Sequence, residues 1–169
     1  MASSLHFVDR GVPGSNQQPL KYYTDTAGTY NQLRNRGFKD IDALDLSEAM
    51  LSIANVSNLY ENYIVDCITE SPSTIPADSY DVITGCSIYA GEGHVPRNAL
   101  VEMIRLVKPG GFVVLSSQHH TLQEIEEYKS LELLMDRLEA DDKWKKISRE
   151  VVPNYYAGKC GVAWCYQVL

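Results

Sequence analysis

"FVVLSS", residues 112–117, is a near-continuous apolar run of strand length. It follows "KPGG" and a helical stretch with Leu100, Met103, Ile104 and Val107 on one side. A strand that does not alternate apolar with polar residues is buried on both faces, the condition found inside a parallel sheet covered by helices. The rest of the chain agrees. "NQLRNRGF" reads as the end of a helix stopped by Gly37 in a left-handed conformation. "DIDALDLS" follows as a short strand, and Ser47 caps a helix carrying Met50, Leu51, Ile53 and Ala54 on one side. "NYIVDCI" and "YDVITGCS" are two further strands, rich in β-branched residues and separated by a Pro/Ser loop. Pro96 suits the first position of the helix before "KPGG". Thr121 and Glu124 make a capping box, opening a helix that runs through Tyr128, Leu131, Leu134, Met135 and Leu138. "WKKISREVV" and "GVAWCYQVL" are strands joined by "PNYYAGKC" with no helix between them, and so short a connection makes them antiparallel. The expected fold class is α/β: a doubly wound, mostly parallel sheet with a C-terminal antiparallel strand.

The 169 residues suffice for one domain with its own core. Residues 1–19 are rich in Gly, Pro, Ser, Asn and Gln without periodicity and are expected to be a mobile arm. The domain is then residues 20–169, a shortened N-terminus remaining open. A net charge of −7 argues against nucleic acid or an anionic membrane as the main partner. No apolar run approaches the roughly 18–20 residues that cross a bilayer, and the first residues lack the apolar core of a secretory signal. Cys67, Cys86, Cys160 and Cys165 show no CxxC or CxxH grouping. They are expected to be reduced structural thiols of a cytoplasmic or nuclear protein, with no metal site.

"DALDLSEAML", "SYDVITGCS" and "ALVEMIRLVKPGGFVVLSS" together resemble the class I S-adenosylmethionine-dependent methyltransferases. Within that class, "RGFKDIDALDLS", "GHVPRNALVEMIRLVKPGG", "YKSLELLMDRLEADDKW", "VVPNYYAGKCG" and "GVAWCYQV" resemble the methyltransferase-like proteins of the Williams–Beuren region. The similarity spans residues 33–169. It implies S-adenosylmethionine as cofactor, no metal, and an acceptor that the residues do not name.

Asp45 has a physical job of its own. A carboxylate at the carboxyl end of a parallel strand faces the ligand crevice and can accept both ribose hydroxyl protons of an adenosine. It would equally suit capping of the helix that begins near Ser47. The resemblance assigns the position to the ribose and places Leu46 and Met50 against the adenine. It puts Asp66 near the adenine amino group and the Cys67 N–H near a ring nitrogen. Gly85 and Cys86, in "TGCS", end the strand that lies over the methyl donor. His94, in "YAGEGHV", borders the acceptor side and could orient or deprotonate a nucleophile, although a plain loop role also suits it. His119 and His120 are adjacent, point to opposite sides and cannot chelate one metal as a pair. Tyr155 and Tyr156 could wall the acceptor pocket or simply pack.

One part of the family pattern is incomplete. The resemblance calls for an apolar first strand, then an acid, a small residue and G-x-G, whose glycines let backbone approach the methionine end of the cofactor. "DTAGT" keeps Asp25 and Gly28 but runs into Tyr30 where a second glycine belongs, and "QPLKYYT" is a poor central strand. The first strand is therefore expected to be degenerate or missing. Two functions remain open: methyl transfer with an impaired cofactor floor, or a non-catalytic methyltransferase-like binding module. A nicotinamide-dependent dehydrogenase would need G-x-G-x-x-G, which is absent.

Overall fold

The computed structural model describes residues 5–9, 33–35, 37–56, 58, 60–91 and 94–169. Its seven strands are β1 (Leu5–Asp9), β2 (Asp40–Asp45), β3 (Tyr63–Val65), β4 (Tyr80–Cys86), β5 (Val107–Gln118), β6 (Trp144–Tyr156) and β7 (Lys159–Val168). They form one sheet in the order β3-β2-β1-β4-β5-β7-β6. The helices are α1 (Glu48–Val56), α2 (Leu100–Leu106), the single turn α3 (Thr121–Glu124) and α4 (Leu131–Ala140). None of the described helices is long and apolar enough to cross a membrane.

β2 and β3 are parallel, as are β4 and β5. β7 runs antiparallel to β5, with Phe112 opposite Gln167 and Gln118 opposite Gly161, and β6 returns antiparallel to β7. The reversed C-terminal strand and the internal position of "FVVLSS" both stand as expected. Strand residues alternate between two cores. Ile83, Val113 and Leu115 pack with α2 and α4, through Leu100, Met103, Leu131 and Met135. Ile41, Ala43, Val82 and Val114 pack on the other face with Leu33, Phe38 and Leu51.

The slot between β2 and β4 is filled in a way the sequence does not announce. Leu5–Asp9 lies in it, antiparallel to both neighbours, with Leu5 opposite Leu44 and Gly85 and Asp9 opposite Asp40. These five residues fall inside the stretch that composition marks as a mobile arm, and for them that expectation is corrected. Averaging over residues 1–19 hid a short run of strand formers, and two rows of central backbone groups require a partner. Residues 19–25, the other candidate for the slot, lie outside the described residues.

Local signals mostly hold. Gly37 is left-handed at φ 93°, and the Phe38 N–H reaches the Leu33 carbonyl at 3.2 Å, closing the helix end. Ser47 Oγ accepts the Met50 N–H at 3.3 Å, capping α1. Of the apolar side expected on α1, however, Leu51 is buried while Ile53 is 66% exposed. The capping box at Thr121 is overturned, because its hydroxyl donates backward to the Gln118 carbonyl at 2.7 Å. Ile125 then turns extended, so the single helix expected there is broken into α3, a short 3-10 turn and α4. All four cysteines are free, but Cys67 and Cys160 are exposed and only Cys86 and Cys165 are partly covered.

The loop between β3 and β4 is tied to α2 by a buried charge. Glu102 is 2% exposed. It receives the Ser73 N–H at 2.8 Å and two Arg105 contacts at 2.6 and 2.7 Å. Arg105 also donates to the Ile75 carbonyl at 2.7 Å. Burial acts to raise the Glu102 pKa, but the Arg105 and Ser73 bonds outweigh it and hold the carboxyl below its usual range.

Two outcomes test this fold. Phe7→Pro deletes a donor from a strand paired on both sides, so urea unfolding should show a loss of about 2–4 kcal/mol; an unchanged midpoint would place β1 elsewhere. Glu102→Ala should cost about 2–3 kcal/mol at pH 7 by stranding Arg105 and the Ser73 N–H. Because the folded pKa is depressed, that stability is complete above the ordinary carboxylate range and is lost as pH falls through the folded value. The parent and Glu102→Ala unfolding midpoints should therefore converge in acid.

Candidate functional site

Parallel pairing brings the carboxyl ends of β2, β4 and β5 to one edge of the sheet, with β3 beside β2. β1 starts at that edge, at Leu5, and ends at the opposite one, at Asp9. The hairpin turn between β6 and β7 also lies at the ligand-facing edge, since Gly161 stands opposite Gln118. This is the crevice in which open α/β sheets bind their ligands.

Asp45 ends β2 there and is 8% exposed. Its Oδ1 accepts the Ser47 N–H at 2.8 Å. The two roles weighed for it are thus compatible: Ser47 does the capping, and Asp45 is braced by the turn leading into the helix. One carboxylate oxygen is anchored, and the group keeps acceptor capacity beyond that bond. Leu46, 64% exposed, and Met50, 37% exposed, put apolar surface beside it. That combination of an anchored carboxylate and uncovered apolar side chains fits the adenosine half of S-adenosylmethionine.

Asp66 follows β3 and is half-buried, while Cys67 is exposed. The Cys67 N–H, expected to face an adenine nitrogen, donates to Asp66 Oδ1 at 2.7 Å. An adenine meeting both groups would have to open that bond. Gly85 is buried and pairs with Leu5 and Leu115; Cys86 beside it is half-buried. Asp25, Gly28 and Tyr30 lie outside the described residues. The described strand in the first slot runs the wrong way to deliver a glycine loop from its carboxyl end into the crevice.

His94 is half-buried, and burial lowers its pKa, partly opposed by the Asp45 carboxylate. The imidazole is therefore neutral at pH 7 and able to accept a proton. His119 and His120 flank the end of β5 without joining this group. No cluster of His, Cys, Asp or Glu among the described residues could hold a metal ion.

A polar cluster around Tyr155, which the sequence leaves between a pocket wall and packing, lies at the same edge. Tyr155 Oη is 2.9 Å from both Ser87 Oγ and Ser116 Oγ. The signal in the sequence was the pairing of "PN" before Tyr155 with Gly161 six residues on, a bulge and a gap for a ring. Beside the loop after β4, Arg97, Glu126, Glu127, Lys129 and Ser130 line a shallow concavity. Within it Lys129 pairs with Glu126 at 2.6 Å.

Known proteins agree with this architecture. The methyltransferase domain family matches residues 26–115, more than half of the chain. Human methyltransferase-like protein 27 is 29% identical over 114 residues, covering 68% of this chain and 45% of its own length. The chain thus spans less than half the length of that curated relative. Two solved structures share the fold. A SAM dependent methyltransferase from Aquifex aeolicus aligns with a TM-score of 0.54 at 17% identity, over 85% of this chain and 75% of its own. The Burkholderia thailandensis 1,6-didemethyltoxoflavin-N1-methyltransferase, solved with 1,6-didemethyltoxoflavin and S-adenosylhomocysteine, aligns with a TM-score of 0.56 at 16% identity, over 83% and 65%. Strand order, crevice and family match converge: the chain belongs to the methyltransferase domain family, the class I S-adenosylmethionine-dependent methyltransferases.

Proposed function

We propose that this chain binds S-adenosylmethionine at the carboxyl edge of β2, β3 and β4 and passes its methyl group to a nucleophile on a small molecule or protein. The observation that carries the reading is Asp45, buried at the exit of β2 with its carboxylate rotation set by the Ser47 N–H. When bound, the cofactor would supply a sulfonium methyl carbon open to in-line attack by an acceptor's lone pair, the C–S bond breaking and the thioether leaving. Such chemistry depends on positioning and exclusion of water more than on an acid–base dyad. Asp45 accepts the ribose hydroxyls, Leu46 and Met50 cover the adenine, and Asp66 meets its amino group. Gly85 and Cys86 back the methyl-donor end. His94, neutral at pH 7, takes the proton that an acceptor nitrogen or oxygen releases. The net charge, with no basic patch in the sequence, favours acceptors other than nucleic acid, in a cytoplasmic or nuclear setting.

The reversed β1 favours a second reading, a methyltransferase-like module that has lost turnover. With Asp9 at the far edge of the sheet, the strand cannot feed a glycine loop over the methionine end. Titration calorimetry with S-adenosylhomocysteine separates the two. Methyl transfer requires binding near the micromolar range, about −8 kcal/mol, with a melting temperature that rises on saturation. The module shows neither.

If the parent binds, Asp45→Ala should weaken it by about 1.5–3 kcal/mol, roughly ten- to 150-fold, through loss of charge-assisted ribose bonds. Equal affinity in the two proteins would remove Asp45 from the site.

A further inference from the structure

The strand pair at the C-terminus brings its turn to the ligand edge, and the methyl-transfer reading gives that turn nothing to do. Its sequence, "VVPNYYAGKCG", has an unusual build. Pairing between β6 and β7 shifts once between Lys146 and Ser148, is regular from Ser148–Cys165 to Val152–Gly161, and shifts again before Tyr156–Lys159. Asn154 sits in the shift with φ at 54°, a left-handed conformation that Asn tolerates better than most side chains. The two extra residues on β6 turn Tyr155 onto the sheet, where it is 5% exposed, while Tyr156 next to it is 46% exposed.

The Tyr155 ring crosses β7 at Gly161. A Cβ on Gly161 would lie 2.3 Å from Tyr155 Cγ and 2.5 Å from Cδ2, so only glycine gives the ring this path. Beyond it, Tyr155 Oη reaches Ser116 Oγ on β5 and Ser87 Oγ just after β4, both at 2.9 Å. The hydroxyl thus bridges the two serines, with one proton and its lone pairs shared between them. Burial raises its pKa, which keeps it protonated and the bonds intact through the neutral range.

Ser87 is itself strained. Its φ is 54°, a left-handed region that a residue with a Cβ rarely adopts. The Tyr155 bonds hold it there. Packing alone would be served by phenylalanine; the hydroxyl matters because it fixes the main chain where β4 leaves the sheet, beside Gly85 and Cys86.

We propose that the β6–β7 turn is a latch on the exit of β4, with Tyr155 as a positioning residue for the sulfonium half of the donor and Gly161 as its seat. This rests on the methyl-transfer reading for its ligand and on hydrogen bonds alone for the latch. The ribose end, anchored at Asp45 two strands away, should not depend on it.

The test uses the full chain with Tyr155→Phe and, separately, Gly161→Ala. Calorimetry with S-adenosylhomocysteine and with adenosine is paired with amide hydrogen exchange at Ser87. Tyr155→Phe should weaken S-adenosylhomocysteine about tenfold, leave adenosine within about twofold, and speed Ser87 exchange at least about tenfold. Gly161→Ala should reproduce this by displacing the ring. A general destabilisation would move both ligands together, and that result overturns the proposal, as does unchanged Ser87 exchange. If the parent binds neither ligand, the methyl-transfer reading falls, and Ser87 exchange in Tyr155→Phe still decides whether the latch exists.

Discussion

Two rows of main-chain N–H and C=O groups, one on β2 and one on β4, face each other across the middle of the sheet. Apolar side chains above and below deny them water, so a strand must stand between them. Everything else depends on that requirement. It joins the β3–β2 half, which carries Asp45, to the β4–β5–β7–β6 half, which carries Ser87 and Tyr155. Hydrogen bonding demands a strand there but does not dictate its direction, because antiparallel ladders satisfy the same groups at least as well as parallel ones. The reversed Leu5–Asp9 exploits that indifference. The structural need is met by a strand that runs from the crevice edge at Leu5 to the opposite edge at Asp9.

Much of the fold was legible because its signals are local. Gly37 stops a helix, Ser47 starts one, and the apolar run around Val113 can sit only inside a covered sheet. The reversal of β7 followed from the length of its connection to β6 alone. What failed were places where a distant partner decides. Thr121 has the sequence of a helix cap, yet Gln118 takes its hydroxyl. Leu5–Asp9 has no pattern strong enough to stand out from its polar surroundings, and only the vacancy between β2 and β4 explains its strand.

The candidate site divides in the same way. Asp45 could be found because a carboxylate at a strand's end is a feature of one segment. Tyr155 was left between a pocket wall and packing, because its partners lie 68 and 39 residues away in sequence. Just past Gly85 and Cys86, that tyrosine reaches the exit of β4 at Ser87. Small side chains in a strand end show that something large comes close, and here at least part of that something is protein.

The two ends of the described chain leave the sheet on opposite sides. Leu5 stands beside Leu44 and Gly85, at the edge where Asp45 waits, whereas Val168 stands beside Trp144, at the far edge. A fusion partner or affinity handle joined ahead of Leu5 would emerge at the mouth of the crevice and compete with whatever enters it. The same handle placed after Leu169 would hang from the opposite rim. Material made with the two arrangements would differ in ligand access before a single residue of the site was changed.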